Sequence, residues 1–171
     1  MKSMRADADR KRRFDEVVGI FHTELYRYAA WLSRDPGIAE VVVQETLLRA
    51  WKSLDSLRDD EAAKQWLLTI ARRENARYFE KKSPDTIDID ELTPEQSAMV
   101  AEADDPLLEE MRLAIFRLEE EYREPLVLQV LLGYSTKEIA AFMGINPGAV
   151  LTRLHRARLK LKKSIDEAAT A

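Results

Sequence analysis

The stretch Gly133-Tyr-Ser-Thr-Lys-Glu-Ile-Ala-Ala-Phe-Met-Gly-Ile-Asn-Pro-Gly-Ala-Val-Leu-Thr-Arg-Leu-His-Arg-Ala-Arg-Leu-Lys-Leu-Lys-Lys163 reads as two helices joined by a sharp turn, the second running out into a basic tail. Ser135 or Thr136 can cap a short first helix that buries Ile139, Ala140 and Met143, and Gly144 supplies the turn. Asn146 is a good N-cap, and Pro147 stands where a missing amide hydrogen costs nothing. Val150, Leu154, Ala157 and Leu161 then follow at spacings of four, three and four, which defines an inward face. At about 100° per residue the opposite side carries Gly148, Leu151, Thr152, His155 and Arg156, with Asn146 and Arg153 beside them. The window predicts a helix-turn-helix whose second helix lays that outward set against the base edges of a DNA major groove.

Between Arg153 and Lys163 stand six Lys or Arg, one His and no acid. A basic helix by itself is as readily a solvated face as a phosphate-binding one, and the capped turn upstream tips the reading to DNA. Arg158, Lys160, Lys162 and Lys163 are then expected on phosphates.

The rest of the composition narrows the function by exclusion. With 171 residues, 46% hydrophobic and 34% charged, the chain reads as a helical protein of one large or two small domains. Its purely apolar runs, such as 126–128 and 130–132, are far short of the ~20 residues a bilayer needs, so no membrane insertion is expected. Arg10-Lys-Arg-Arg13 is followed by Asp15 and Glu16 and not by an apolar signal core, which makes the cytoplasm the expected location. There is no cysteine and there are two isolated histidines, so no disulfide, no metal site and no cofactor is expected. No Gly-rich phosphate loop and no nucleophile beside a base is present, and the chain does not read as an enzyme.

The net charge of −4 conceals a pattern. Residues 1–82 hold 17 basic and 14 acidic side chains, 83–111 hold none and 10, and 112–171 hold 10 and 7, giving +3, −10 and +3. The stretch Ser83-Pro-Asp-Thr-Ile-Asp-Ile-Asp-Glu-Leu-Thr-Pro-Glu95 has two prolines and no sustained period, and reads as a linker, extended or disordered when alone. The expected organisation is all-α: a first helical domain over 1–82, an acidic flexible linker over 83–105, and the helix-turn-helix domain over 106–171.

In the first domain Phe14, Val17, Val18, Phe21, Leu25, Tyr28, Ala29 and Leu32 keep a helical stripe until Asp35-Pro36-Gly37 breaks it. A second helix follows with Ile38, Val42, Glu45, Leu48 and Trp51 as its stripe, alternating with Glu40, Gln44, Arg49 and Lys52. After the polar loop 55–60, a third starts near Glu61. Trp66, Leu67, Ile70 and Ala71 are its expected apolar face, and Arg72, Arg73, Asn75, Arg77, Tyr78, Lys81 and Lys82 its basic and aromatic one.

Both ends resemble the extracytoplasmic-function class of bacterial RNA polymerase sigma factors. The resemblance rests on Leu25-Tyr-Arg-Tyr-Ala, on Ala39-Glu40 leading to Val43-Gln44-Glu45 and Leu48-Arg49-Ala50-Trp51, on Trp66-Leu67-Leu68-Thr-Ile70-Ala71-Arg72, and on 122–163. It implies a promoter-specificity subunit that binds core RNA polymerase, directs it to −35 and −10 elements and assists strand opening. It implies a four-helix first domain in which Gln44, Glu45, Leu48, Arg49 and Lys52 dock on the clamp helices of the polymerase largest subunit, and a second domain that meets the flap. Trp51 is expected in the core rather than at that contact. Family members commonly show Asp-Leu where this chain has Val41-Val42, so one acidic docking contact is missing, and they often carry a basic residue at the position of Leu151.

The resemblance further implies that the loop 57–64 and the helix 65–77 read the non-template strand of the −10 element. Asp59, Asp60 and Glu61 would then capture bases, Arg72, Arg73, Asn75 and Arg77 support the strand, and Tyr78 stack, with Lys64 in the same −10 set. Trp66 belongs to the same set, although its place on the face of Ile70 favours a core anchor. The acidic linker would thread toward channels built for nucleic acid, its Asp85, Asp88, Asp90 and Glu91 occupying that path, and a plain solubilising tether explains the composition equally well. An anti-sigma factor is the further partner the resemblance implies. The competing reading is a freestanding helix-turn-helix regulator whose N-terminal helices dimerise or sense a signal.

Overall fold

The computed structural model describes residues 1–82, 92–101 and 105–171. The expectations for Asp85, Asp88, Asp90 and Glu91 lie outside them. Among the described residues are eight α-helices and no strand: α1 Lys2–Ser33, α2 Pro36–Lys52, α3 Ala63–Lys81, α4 Pro94–Val100, α5 Pro106–Arg117, α6 Glu120–Val130, α7 Thr136–Met143 and α8 Pro147–Thr170. They form two compact units, Met1–Ala29 with Ala39–Ser83, and Ala30–Ile38 with Pro84–Ala171. No helix among them is long and apolar enough to cross a membrane.

In the first unit the stripe of α1 is borne out, with Val17, Leu25, Tyr28 and Ala29 buried and Phe14, Val18 and Phe21 half-buried. The helix starts at Lys2, well before the stripe, because Met4, Arg5, Ala6, Ala8 and Arg10 are good helix formers and nothing in the segment breaks the turn pattern. Residues 1–82 thus carry three α-helices and two 3-10 turns rather than four helices, since no proline or cap interrupts α1 before Asp35. Asp35 itself caps α2, its Oδ1 accepting from the amides of Gly37 at 2.8 Å and Ile38 at 3.1 Å.

The buried face of α2 is a correction to the expected stripe. Ala39, Val42, Val43, Thr46 and Ala50 point inward, whereas Leu48 is 56% and Trp51 37% exposed. Small residues let α2 pack closely, and Thr46 is accommodated because its hydroxyl donates to the Val42 carbonyl at 2.7 Å. Trp51 is therefore a surface residue, set edge-on against Phe14 with ring centroids 5.3 Å apart. Rotation of α3 is similar: Ala63, Leu67, Leu68 and Ala71 are buried together with Glu74 and Asn75, and Trp66 and Ile70 are only half-buried.

In the second unit α8 packs against α5, α6 and α7 over a core that includes Phe116, Leu128, Ile139, Val150, Leu154 and Ala157. Each such large apolar side chain contributes roughly 1.5–3 kcal/mol on burial. A buried cation closes this core. Arg123 is 2% exposed and donates to the carbonyls of Trp31 at 2.9 Å, Leu32 at 3.0 Å and Leu118. Burial pushes its pKa down to about 10, with Arg34 adding to the effect and Glu120 and Glu124 opposing it.

The linker expectation also needs correcting. Pro94–Val100 is helical because Thr93 and Gln96 form a capping box and Pro94 takes the first helical position. Gln96 is buried and its amide donates to the Arg34 carbonyl at 3.0 Å, and Val100, the last residue of the helix, is buried as well.

Candidate nucleic-acid interface

The helix-turn-helix forms as its sequence dictates. Ser135 Oγ accepts from the Glu138 amide at 3.2 Å, and Glu138 Oε2 accepts from the Ser135 amide at 2.7 Å, completing a capping box at the start of α7. Gly144 ends α7 in the left-handed conformation, φ 68° and ψ 32°, and the Ile145 amide donates back to the Ala140 carbonyl at 3.1 Å. Asn146 Oδ1 then accepts from the Ala149 amide at 2.8 Å, with Pro147 at the first position of α8. Val150, Leu154 and Ala157 are buried and Leu161 is half-buried.

The opposite face is open. Asn146, Gly148, Leu151, Thr152, His155 and Arg156 are all exposed, Leu151 to 58%, and Arg153 is half-buried at their edge. Thr152 donates its hydroxyl to the Gly148 carbonyl at 3.0 Å, which leaves its oxygen free to accept from a base amino group. Two cations assigned to phosphates are engaged inside the domain. Arg158 donates to Gln129 Oε1 at 2.6 Å, and Lys160 to Glu119 Oε1 at 2.8 Å, with its ammonium 5.2 Å from the Tyr122 ring centroid. Lys160 holds the Glu119 carboxyl below its usual range, first through this hydrogen bond.

The first unit presents two more surfaces. On α2, Val41, Gln44, Glu45, Leu48, Arg49 and Lys52 are all exposed, so the residues assigned to docking do share one face. Val41, where the resemblance expects an acid, falls on that face and is 43% exposed. On α3, Arg73 and Arg77 are exposed and Arg72 and Tyr78 half-buried. Asn75 is 2% exposed and turns into the core, which removes it from any strand-facing set.

Glu74, which the sequence did not single out, joins the two surfaces: its buried carboxylate pairs with Arg49 from α2 and, at 2.9 Å, with Arg77 from α3. Arg49, Lys52, Ser53, Arg73 and Arg77 line one polar cleft around it. Lys64 pairs with Glu24 at 3.0 Å. Tyr78 lies edge-on to Phe79 and under Lys82, its hydroxyl accepting from Lys82 Nζ at 2.9 Å.

The segment between α2 and α3 is short and acidic. It holds a 3-10 turn Leu54–Ser56 and another Asp60–Ala62, the second capped by Asp59, whose carboxylate accepts from the Glu61 amide at 2.9 Å. Leu54 and Leu57 are buried beneath it, and Asp59, Asp60 and Glu61 are exposed.

Two models of known families match this chain in chain order: Sigma-70 region 2 over residues 18–84 and Sigma-70, region 4 over residues 108–161. The chain is 39% identical over 152 residues to the ECF RNA polymerase sigma factor SigL of Mycobacterium tuberculosis, a match that covers 84% of this chain and 83% of that one. The chain belongs to the extracytoplasmic-function class of bacterial sigma factors. Its fold is similar to that of the sigma factor RpoE of Bartonella quintana in complex with the anti-sigma factor NepR, with a TM-score of 0.72, 28% identity and coverage of 90% of this chain and 96% of that one. It is also similar to CnrH in complex with the cytosolic domain of CnrY, with a TM-score of 0.67, 25% identity and coverage of 92% and 90%.

As a sigma factor the chain acts in transcription initiation, and the region 2 match decides against a freestanding regulator with an unrelated N-terminal domain. The helix-turn-helix lies within the region 4 match, and α2, the acidic segment and α3 lie within the region 2 match. The first turns of α1, from Lys2 to Val17, precede the matched part of this sigma factor.

Proposed function

We propose that this sigma factor binds core RNA polymerase through the exposed face of α2, places α8 in the major groove of a −35 element, and engages the opened −10 element with the acidic segment and α3. The observation that carries the proposal is the recognition face: Gly148, Leu151, Thr152, His155 and Arg156 stand exposed on a helix whose start is fixed by the Gly144 turn and the Asn146 cap. Gln44, Glu45, Leu48, Arg49 and Lys52 meet the clamp helices of the largest subunit, and residues 106–171 meet the flap. The functional modules are 1–82 and 106–171, with 83–105 joining them. Bond making is left to the polymerase, so the chain is a cytoplasmic specificity subunit and not an enzyme.

At α8, Arg156 makes the base-specific contact and Lys162 and Lys163 contact phosphates. At the first unit, Arg73 and Arg77 support the melted strand with Lys64, Arg72 and Tyr78 alongside, and Asp59, Asp60, Glu61 and Trp66 lie nearest the captured bases. An anti-sigma factor is the regulatory partner, as in the two similar complexes. Leu108, Met111, Ile115, Val127, Val130 and Leu131 line an apolar groove on α5 and α6 that suits the nonpolar face of such an inhibitor.

Holoenzyme carrying Thr152→Ala or Arg156→Ala, scored base by base across the −35 element, tests the reading. A base contact is worth ~1–3 kcal/mol of discrimination at one position, whereas a phosphate contact weakens all sequences alike. If neither substitution changes strength or preference, α8 is not in the groove.

A further inference from the structure

The first turns of α1 lie outside the region 2 match, yet they are bonded to the segment between α2 and α3. Arg10 donates to Asp55 Oδ2 at 2.6 Å and to the Trp51 carbonyl at 2.5 Å, and its guanidinium sits 5.1 Å from the Trp51 ring centroid. One helical turn on, Arg13 donates to Asp60 Oδ1 through Nε at 3.0 Å and through a terminal nitrogen at 2.8 Å, and to the Leu57 carbonyl at 2.7 Å. Each arginine therefore bridges one carboxylate and one backbone carbonyl of the same ten-residue stretch, 51–60. Phe14 stacks edge-on against Trp51 just beyond, so the register of α1 on this segment is fixed by packing as well as by charge.

The charge arithmetic gives the contact a purpose. Residues 54–62 contain Asp55, Asp59, Asp60 and Glu61 against the single cation Arg58. A segment of that charge repels strand phosphates. The Asp59 carboxylate caps the turn that follows, Arg10 offsets Asp55 and Arg13 offsets Asp60. Arg10 and Arg13 keep 26% and 34% of their side-chain surface in solvent while Asp55 and Asp60 keep 84% and 62%, so the arginines are held by packing and by the backbone carbonyls as well as by solvent-exposed ion pairs.

We propose that the N-terminal turns of α1 form a clamp, in which Arg10 and Arg13 are positioning residues that hold the acidic segment 54–61 in the shape needed to select bases of the −10 element and offset two of its carboxylates. The proposal rests on the reading of that segment as the −10 contact. It assigns to Arg10 and Arg13 no contact with DNA. Their bidentate geometry is what lets one side chain hold both a carboxylate and a carbonyl, which a lysine does less well.

The test uses full-length protein assembled into holoenzyme and a set of −10 single-base variants in fork-junction DNA. The Arg10→Ala/Arg13→Ala double variant is expected to bind core polymerase as the parent does, to keep its −35 preference, and to lose about tenfold of its discrimination between −10 bases. Arg10→Lys/Arg13→Lys is expected to recover less than half of that loss. Unchanged −10 discrimination in the alanine variant, or an equal loss for every base, overturns the clamp, and so does full recovery by lysine. Should the double variant lose helicity, Arg13→Ala alone carries the same comparison, since the Arg10 contacts remain. Asp59→Ala/Glu61→Ala in the parent background separates the two levels. If it leaves −10 discrimination intact, the segment is not the −10 reader; if it changes discrimination while the arginine variants do not, only the clamp fails.

Discussion

Gly144→Ala measures how firmly the helix-turn-helix is held by its turn. Gly144 sits at φ 68°, and a Cβ built there meets nothing within 4 Å, so no clash contributes to the cost of a side chain. What remains is the backbone term: an L-residue with a Cβ pays roughly 1–2 kcal/mol in the left-handed region. For a unit of this size, one kcal/mol shifts Tm by about 4–8 °C, so the substitution is expected to lower the melting of the C-terminal unit by about 4–16 °C. Asparagine tolerates the left-handed conformation better, so Gly144→Asn should fall between the parent and the alanine variant. Thermal unfolding followed by circular dichroism, with urea titration as the second method, reads the series. The −35 affinity of the alanine holoenzyme should fall while its base preference stays, because the face of α8 is untouched. Parental stability in Gly144→Ala, or asparagine no better than alanine, would refute a turn held in the left-handed region.

Further outcomes follow from the charged groups. Arg123→Met fills the space but leaves the carbonyls of Trp31, Leu32 and Leu118 without their donor, and should cost ~3–5 kcal/mol by urea unfolding. With the folded pKa lowered to about 10, folded and unfolded chains both hold this proton through the neutral range, so the loss should be the same at about pH 6 and pH 8, and any pH dependence from this group lies above pH 10, where stability rises as the buried charge is lost. Glu119 has its carboxyl pKa held below the ordinary 4.5 by Lys160, so the pair contributes stability above that value and loses it as pH falls through the lowered one. Carboxyl titration by NMR should show the Glu119 midpoint below 4.5, and Lys160→Ala should move it back up. Glu45→Arg reverses charge on the exposed face of α2 without touching its core side, and is expected to abolish core polymerase binding while helicity stays constant; unchanged affinity would show that this face does not dock.

The elements that were legible in the sequence are those fixed by neighbours in the chain. Ser135 with Glu138, Gly144, and Asn146 with Pro147 act within one turn of the backbone, and the buried positions Val150, Leu154 and Ala157 follow from a period of 3.6. The inward face of α2 was not legible, because a stripe search follows large apolar residues and this face is built from Ala39, Thr46 and Ala50. Leu48 and Trp51 drew the stripe the wrong way. Glu74 could not be recognised as buried, since its carboxylate enters the core only because Arg49, distant in sequence, pairs with it, and Asn75 is buried with its Oδ1 unpartnered, which no local pattern announces. The capping box of α4, Thr93 with Gln96, lies inside the acidic, proline-bearing stretch whose composition reads as a linker. Arg10 and Arg13 read as a basic run at the N-terminus; only the fold brings them to Asp55 and Asp60.

Transcription in vitro from a genomic promoter library, with core RNA polymerase in the presence and absence of this chain, tests the central claim most directly. The chain with core should initiate at a set of promoters sharing one −35 and one −10 sequence, while core alone initiates at none of them and the chain alone binds those duplexes weakly at physiological salt. Tight, sequence-specific binding by the lone chain to two-fold half-sites, with no promoter-specific initiation on addition of core, would contradict it.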